Sequence, residues 1–303
     1  PFELVEKEDF TRIVAGKYPE NLSDGKRILL LCENRGEFLK ACPSTRGYRC
    51  CDYRVINIGM GCPMDCVYCI LQAYLNNPYL SFFINKEDMF SELSEKLRNS
   101  TAEILRIGTG EFTDSMALDS ITGLSRKLVS FFSERKNAVL ELKTKSAYIE
   151  NLRDFEHGGR TVVAWSLNSE EVVSGQEFRV ATLEERFAAA AQCADWGYHL
   201  AFHFDPIIIH NDWQRGYEKT IKQLFSKVPA KSIKWISLGA FRYIPKLRQI
   251  GTDRFPNSKI FYHEFVEGLD QKQRYFRLLR ADVYKKIYKM LLQYVDSKTC
   301  IYF

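Results

Sequence analysis

Three cysteines stand at spacing C-x3-C-x2-C in Cys62-Pro63-Met64-Asp65-Cys66-Val67-Tyr68-Cys69. Thiolates this close in sequence can converge on one metal centre, and three is an informative number of them. A structural zinc site normally closes with four protein ligands, and an ordinary ferredoxin cluster takes four cysteines. A four-iron four-sulfur cluster held by three cysteines keeps one iron open to an exogenous ligand, so it can do chemistry as well as carry electrons. The other reading of the loop is a zinc ion that borrows a fourth ligand from elsewhere in the chain.

Such a loop needs elements that position it. Arg54–Ile58 is an apolar, β-branched run that reads as a buried strand. Gly59, Gly61 and Pro63 then turn the chain out of it. Helix and strand signals alternate from there on. Strands are predicted at 54–58, 102–107, 138–143, 161–167, 198–204 and 232–238. Helices are predicted at 85–98, 115–132, 147–155 and 213–228, and another opens on the capping box Thr182-Leu-Glu-Glu185 and ends at Gly197. Short connections between alternating elements mean a parallel sheet with helical crossovers. The expected fold is therefore α/β, a partial (β/α)6 TIM-type barrel over 54–240. An N-terminal extension (1–53, with a short strand at 27–32 and a loop at 43–47) precedes it, and a C-terminal extension (241–303) with a helix at 281–295 follows.

Sites on such barrels sit at the C-terminal ends of the strands, so polar residues there are candidates. Gly108-Thr-Gly-Glu111 follows the second strand; its glycines admit a close ligand, and its carboxylate can bond an ammonium. Thr113 and Asp114 come next. Lys145 ends the third strand, Ser166 and Asn168 the fourth, and His203 and Asp205 the fifth, with His210 beyond. For each of them the plainer reading is a turn or a cap, and His210 to Asp212 can cap the next helix. Cys32, Cys42, Cys50 and Cys51 match no metal signature and read as spare thiols or as a thiol near the site. No Ser/His/Asp constellation, P-loop or dinucleotide fingerprint occurs.

Composition sets the class. The chain has 303 residues, 46% hydrophobic and 27% charged, which suits one large globular domain. No apolar run approaches the ~18–20 residues of a membrane span, and the opening residues carry charges where a secretory leader would be apolar. Thiols that must hold metal predict a reducing cytoplasm. Residues 241–303 hold 13 Lys/Arg against 6 Asp/Glu, a surplus larger than the +5 of the whole chain. A basic tail on a near-neutral body suggests a polyanionic partner or simply a solvated basic surface.

The cysteine spacing, with Tyr68 before the last cysteine, resembles the signature of radical S-adenosylmethionine enzymes. Within them, Gly61 to Gln72, Thr144-Lys145, Ser166-Leu-Asn168 and Asp205 to Tyr217 resemble spore photoproduct lyase and its relatives, in order, over about residues 53–237. The resemblance implies a four-iron four-sulfur cluster on Cys62, Cys66 and Cys69. S-adenosylmethionine would chelate the open iron and be cleaved to a 5′-deoxyadenosyl radical. Tyr68, Gly108, Gly110, Glu111, Thr113, Lys145, Ser166 and Asn168 would bind that cofactor, with Tyr68 and Glu111 at the reacting centre. It further implies an external electron donor such as a flavodoxin or ferredoxin, and a thymine dimer in DNA as substrate. His203, Asp205 and His210 would contact the lesion, while Arg274, Tyr275 and Arg277 would pair with backbone and bases. Two positions depart from the family pattern. Glu111 stands where a hydrogen-donating cysteine is expected, and Ile70 where a second tyrosine follows the last cluster cysteine. Cys50 and Cys51 are candidate replacement thiols, and a nucleoside, peptide or small molecule is the alternative substrate.

Overall fold

A computed structural model describes residues 13–42, 52–100, 104–295 and 298–303. Its main sheet has eight strands: β1 (Leu39–Ala41), β2 (Arg54–Ile56), β3 (Leu105–Gly108), β4 (Ala138–Thr144), β5 (Thr161–Ser166), β6 (His199–Ile207), β7 (Ile233–Ala240) and β8 (Cys300–Tyr302). Spatial order follows chain order. Strand β1 runs antiparallel to β2, and every later neighbour pair is parallel. The six central strands are the six expected from sequence, although part of the second (102–103) lies outside the described residues. The flanks supply the two edge strands, so the sheet is a mixed α/β half barrel.

Side chains of a strand alternate between faces. On one face Leu140, Leu142, Val163, Trp165, Phe202, Phe204 and Ile236 join the main core with the helices. On the other, Val162, Ala164, Ala201 and Trp235 form a separate small cluster. Two residues further along their strands this inner face turns polar, at Ser166, His203 and Ser237. Chemistry is therefore gathered inside the barrel, toward the strand ends.

The helices that bear on the site include the short α1 (Leu71–Tyr74) and the longer α2 (Lys86–Arg98), α3 (Leu124–Ser133), α4 (Leu183–Asp195), α5 (Trp213–Lys227), α6 (Pro245–Arg254) and α7 (Arg277–Leu291). Helix α2 carries Glu87 and Asp88 in its first turn and Lys96 and Arg98 in its last, the polarity its dipole favours. The capping box opens α4 as expected, with Thr182 N–H donating to the Glu185 carboxylate at 2.8 Å.

Three helix expectations need correction. The single helix over 115–132 is two, Asp119–Thr122 and α3, because Gly123 between them is left-handed at φ +56° and the Asp119 carboxylate accepts from Ser125 N and Oγ. Residues 147–155 contain only one 3-10 turn, Glu150–Leu152. The last helix begins at Arg277 rather than 281 and ends at Leu291 rather than 295.

Both flanks pack on the barrel. In the N-terminal flank, Leu29–Cys32 pairs in parallel with Leu80–Phe83, which also pairs with Gly59–Met60 just ahead of the cysteines. In the C-terminal flank, Arg242–Tyr243, Phe265–Glu267 and Gln273–Tyr275 form an antiparallel sheet. There Phe265 stacks on Tyr275 and meets Tyr243 edge to face, both at centroid distances of 4.9 Å. Among the described residues no helix is long and apolar enough to cross a membrane.

Candidate active site

The cysteine loop leaves the barrel at Gly61, whose φ of +82° is one that side chains with a Cβ rarely adopt. Its N–H donates to Phe112 O at 3.0 Å, tying the loop to the segment after β3. Further on, Asp65–Cys66 pairs antiparallel with Glu177–Phe178. The Gln72 amide at the start of α1 donates to Cys66 O and Val67 O at 3.0 and 3.2 Å.

Behind the loop lies a buried ion cluster. The Asp65 carboxylate accepts from Lys26 at 2.9 Å and from both terminal nitrogens of Arg254 at 2.9 and 3.1 Å. Burial alone would push the Asp65 carboxyl up, but Lys26 and Arg254 hold it below its usual range. A residue from each flank thus grips the same loop carboxylate.

A second buried network stands beside Cys66. Tyr68 donates its hydroxyl proton to Glu177, Arg186 pairs with Glu177 at 2.7 Å with both side chains fully buried, and Asn168 reaches Glu177 at 3.3 Å. The Lys145 ammonium lies 5.6 Å from the Tyr68 ring centre. Burial alone would lower the Lys145 pKa, but Glu177 and the Cys66 sulfur hold it above its ordinary value.

The loop after β3 is fixed by Asp114. One of its oxygens accepts from Met116 N, Ala117 N and Thr144 Oγ1 at 2.9, 2.9 and 2.6 Å, and the other accepts from Lys145 N at 2.8 Å. Asp114 therefore sets both the Glu111 loop and the end of β4.

These pieces enclose a cavity of about 440 Å³ lined by Cys62, Cys66 and Cys69 together with Tyr68, Gly110, Glu111, Thr113, Asp114, Lys145, Ser166 and Asp205. Cys42, Tyr74, Lys143, Arg242, Tyr243 and Lys272 line it as well. Burial pushes the Glu111 carboxyl up, opposed by Lys143, Lys272 and Arg242. Burial acts the same way on Asp205, but Arg242, 3.4 Å away, and Lys143 bring it below its usual range.

Several expected residues lie elsewhere. Gly108 is set back against Tyr53: a Cβ there would meet the Tyr53 hydroxyl at 1.8 Å. Asn168 is buried behind the cavity, where its amide oxygen accepts from Tyr217. His203 lies beneath the cavity floor, between Glu141 at 2.8 Å and Ser237 at 2.6 Å. His210 is off the cavity, against Ser169 and Glu171, and does not cap α5. Arg274 is a buried partner of Asp270, and the oxygen of the fully buried Tyr275 accepts from Ile209 N. Arg277 is exposed at the start of α7. Cys50 and Cys51 lie outside the described residues.

The donor set fits an iron–sulfur cluster. Three thiols face one cavity, and the cations close to the loop (Lys26, Arg254, Lys145, Arg186) outnumber the carboxylates near it (Asp65, Glu177, Asp114), which suits an anionic thiolate-bound group. Among the described residues no three His, Cys, Asp or Glu side chains meet around a single ion. Without iron, burial pushes the Cys62 thiol up to about 12, with Asp114 and Cys69 adding to it, so ligation must expel its proton.

A half barrel with a three-cysteine loop beyond its first parallel strand has the architecture of a radical S-adenosylmethionine enzyme. Comparison with known proteins narrows the class. The family model for spore photoproduct lyase matches residues 45–296. Spore photoproduct lyase of a Geobacillus species is 26% identical over 237 residues, covering 77% of this chain and 67% of that protein. The Clostridium acetobutylicum lyase is 22% identical over 270 residues, covering 89% and 76%. In fold, a doubly substituted spore photoproduct lyase with bound AdoMet and dinucleoside spore photoproduct superposes at TM-score 0.85 and 22% identity, over 95% of this chain and 86% of that one. The chain belongs to the spore photoproduct lyase family. It is a radical S-adenosylmethionine enzyme of lyase type whose cofactors are a four-iron four-sulfur cluster and S-adenosylmethionine.

Proposed function

We propose that this enzyme opens a thymine-dimer-like lesion in DNA. One observation carries the reading: the cavity that receives the cluster thiols is also lined by Lys143, Arg242 and Lys272. Cations there can hold a phosphodiester while the base between its neighbours is presented to the radical source. Lesions must leave the stack to be reached, and a cavity of about 440 Å³ has room for an extruded base beside the cofactor.

When bound, the cluster and S-adenosylmethionine supply a 5′-deoxyadenosyl radical. The residues have separable tasks. Cys62, Cys66 and Cys69 hold iron. Lys145 pairs with the cofactor carboxylate, while Ser166, Thr113 and the Gly110–Glu111 backbone line its bed. Glu177, Arg186 and Asn168 fix Tyr68 against that bed. Asp205, pinned by Arg242, accepts a hydrogen bond from a base. Of the C-terminal extension, Arg242 and Lys272 reach the lesion, and Arg277 is placed to meet the flanking strand. Electrons come from a small donor such as a flavodoxin or ferredoxin, and thiols that must remain reduced suit the cytoplasm.

Anaerobic incubation with reductant, S-adenosylmethionine and dinucleoside spore photoproduct should yield 5′-deoxyadenosine and the repaired thymidine dinucleotide. Affinity for irradiated oligonucleotide should fall steeply with salt. Formation of 5′-deoxyadenosine with the lesion untouched, and binding indifferent to salt, would sink the DNA reading. It would favour the second one, a nucleoside, peptide or small molecule, for which the cavity carboxyl of Glu111 is the motivating feature.

A further inference from the structure

Two charged side chains of the cavity stand next to each other and have no partner. Of the three cations that can hold a phosphodiester, Arg242 pairs with Asp205 at 3.4 Å and Lys272 lies 3.9 Å from Asp270. The Lys143 ammonium has no ion pair or hydrogen bond among the described residues, and neither has the half-buried Glu111 carboxyl. They come from neighbouring parallel strands, Lys143 from the end of β4 and Glu111 from just past β3. Gly110 lets them meet: a Cβ there would stand 3.4 Å from the Lys143 Cβ. The charged and titratable groups facing Glu111 are Lys143, Asp205 of β6, Arg242 beyond β7, Lys272 of the C-terminal flank and Tyr53 ahead of β2. Burial raises the Glu111 pKa, opposed by the three cations and aided by Asp205. A carbon radical left on a thymine by bond cleavage is conjugated with a ring carbonyl. It can be discharged by a hydrogen atom, or by one electron and one proton. A carboxyl O–H bond is too strong to give a hydrogen atom, but it gives a proton readily.

We propose that Glu111 is a general acid which, with Lys143 beside it, discharges the product radical by reduction and protonation, so that S-adenosylmethionine is consumed rather than regenerated. The inference rests on the lesion reading above. One electron from the low-potential donor that serves the cluster converts the radical to a carbanion, whose charge spreads onto the ring carbonyl oxygen. Lys143 donates a hydrogen bond to that oxygen. The Glu111 O–H bond then breaks, its proton forms the new C–H bond, and solvent reprotonates the carboxylate. Each repaired lesion therefore takes two electrons and one proton, and leaves one 5′-deoxyadenosine and one methionine.

Product stoichiometry is the first measurement. Anaerobic turnover of dinucleoside spore photoproduct by the wild type should give 5′-deoxyadenosine and repaired dinucleotide in equal amounts. Several repaired dinucleotides per 5′-deoxyadenosine would mean that the cofactor takes its hydrogen atom back, and would overturn the proposal. Glu111→Gln keeps the side-chain shape without the acid. With iron content unchanged, it should still consume lesion and form 5′-deoxyadenosine, but give at least tenfold less repaired dinucleotide per lesion consumed, and Glu111→Asp should recover part of that yield. Wild-type yield in Glu111→Gln would remove the acid from this role. Because the acid must carry its proton, the wild-type yield should fall as pH rises through its titration, while that of Glu111→Gln stays flat. Independently of turnover, infrared difference spectra of the cluster-loaded protein without S-adenosylmethionine should show a carboxylic acid band that titrates above the ordinary carboxyl range and is missing from Glu111→Gln. Identical spectra would end the proposal. Failure of the lesion reading looks different: the wild type would then form 5′-deoxyadenosine and leave the lesion whole, and both readings would fall together.

Discussion

Lys145 is the cation best placed to meet the cofactor, because Glu177 and Cys66 keep it charged despite its burial. Lys145→Met should weaken S-adenosylmethionine binding to the cluster-loaded enzyme roughly tenfold or more, since a hydrogen bond to a charged group contributes ~1.5–3 kcal/mol. Calorimetric titration of the cofactor measures this, and unchanged affinity would remove Lys145 from that role. At this scale the sequence was readable where chemistry is local. The cluster thiols lie within eight residues, and Lys145 and Ser166 are exposed by their position at strand ends. Glu177 was hidden, because it reaches the site only through a two-residue bridge to the cysteine loop. Arg274 and Tyr275 misled for a different reason. A basic and aromatic stretch does not say which face is buried, and here the C-terminal sheet turns both inward.

The cysteine loop is an element held from outside the barrel. Asp65→Asn would leave the buried cations Lys26 and Arg254 without their shared counter-charge, and breaking a buried pair costs ~3–5 kcal/mol. Chemical denaturation should show a loss of that order, and iron reconstitution should fall with it. A variant as stable as the wild type would mean that the clamp is slack. The Leu71-Gln72 match beside the last cysteine was visible in the sequence as a likeness, and its physical reason is that Gln72 bonds the carbonyls of Cys66 and Val67. The clamp itself could not be foreseen, since Lys26, Asp65 and Arg254 are far apart in the chain and meet only when both flanks fold. Element boundaries failed where a glycine allowed a left-handed joint inside an amphipathic run, as at Gly123; there the apolar spacing continues across the break.

At the scale of the whole molecule, Glu141 is an ionised carboxylate buried inside the barrel. Burial alone would raise the Glu141 pKa, but the His203 ring and hydrogen bonds from His203 and Tyr53 bring it from 4.5 to about 2. The folded protein therefore takes up this proton later than the unfolded chain does. Its stabilisation is complete above about pH 5 and is lost progressively as pH falls toward about 2. Melting temperature followed over that range should decline in the wild type, and Glu141→Gln should flatten the decline; parallel curves would contradict the assignment. Six parallel strands were foreseen because buried β-branched runs alternate with amphipathic helices. The edges were not, because β1 and β8 are three residues each and carry too little pattern to stand out. The last of these short strands has a further consequence. It covers the hydrogen-bonding rim of β7 through Trp235–Ser237, and the Tyr302 ring seats the Arg106 guanidinium 5.1 Å from its centre. Trimming the final five residues would bare that rim as a template for a second molecule, so a shortened protein should self-associate on concentration while its metal loop, on the far side of the sheet order, stays intact.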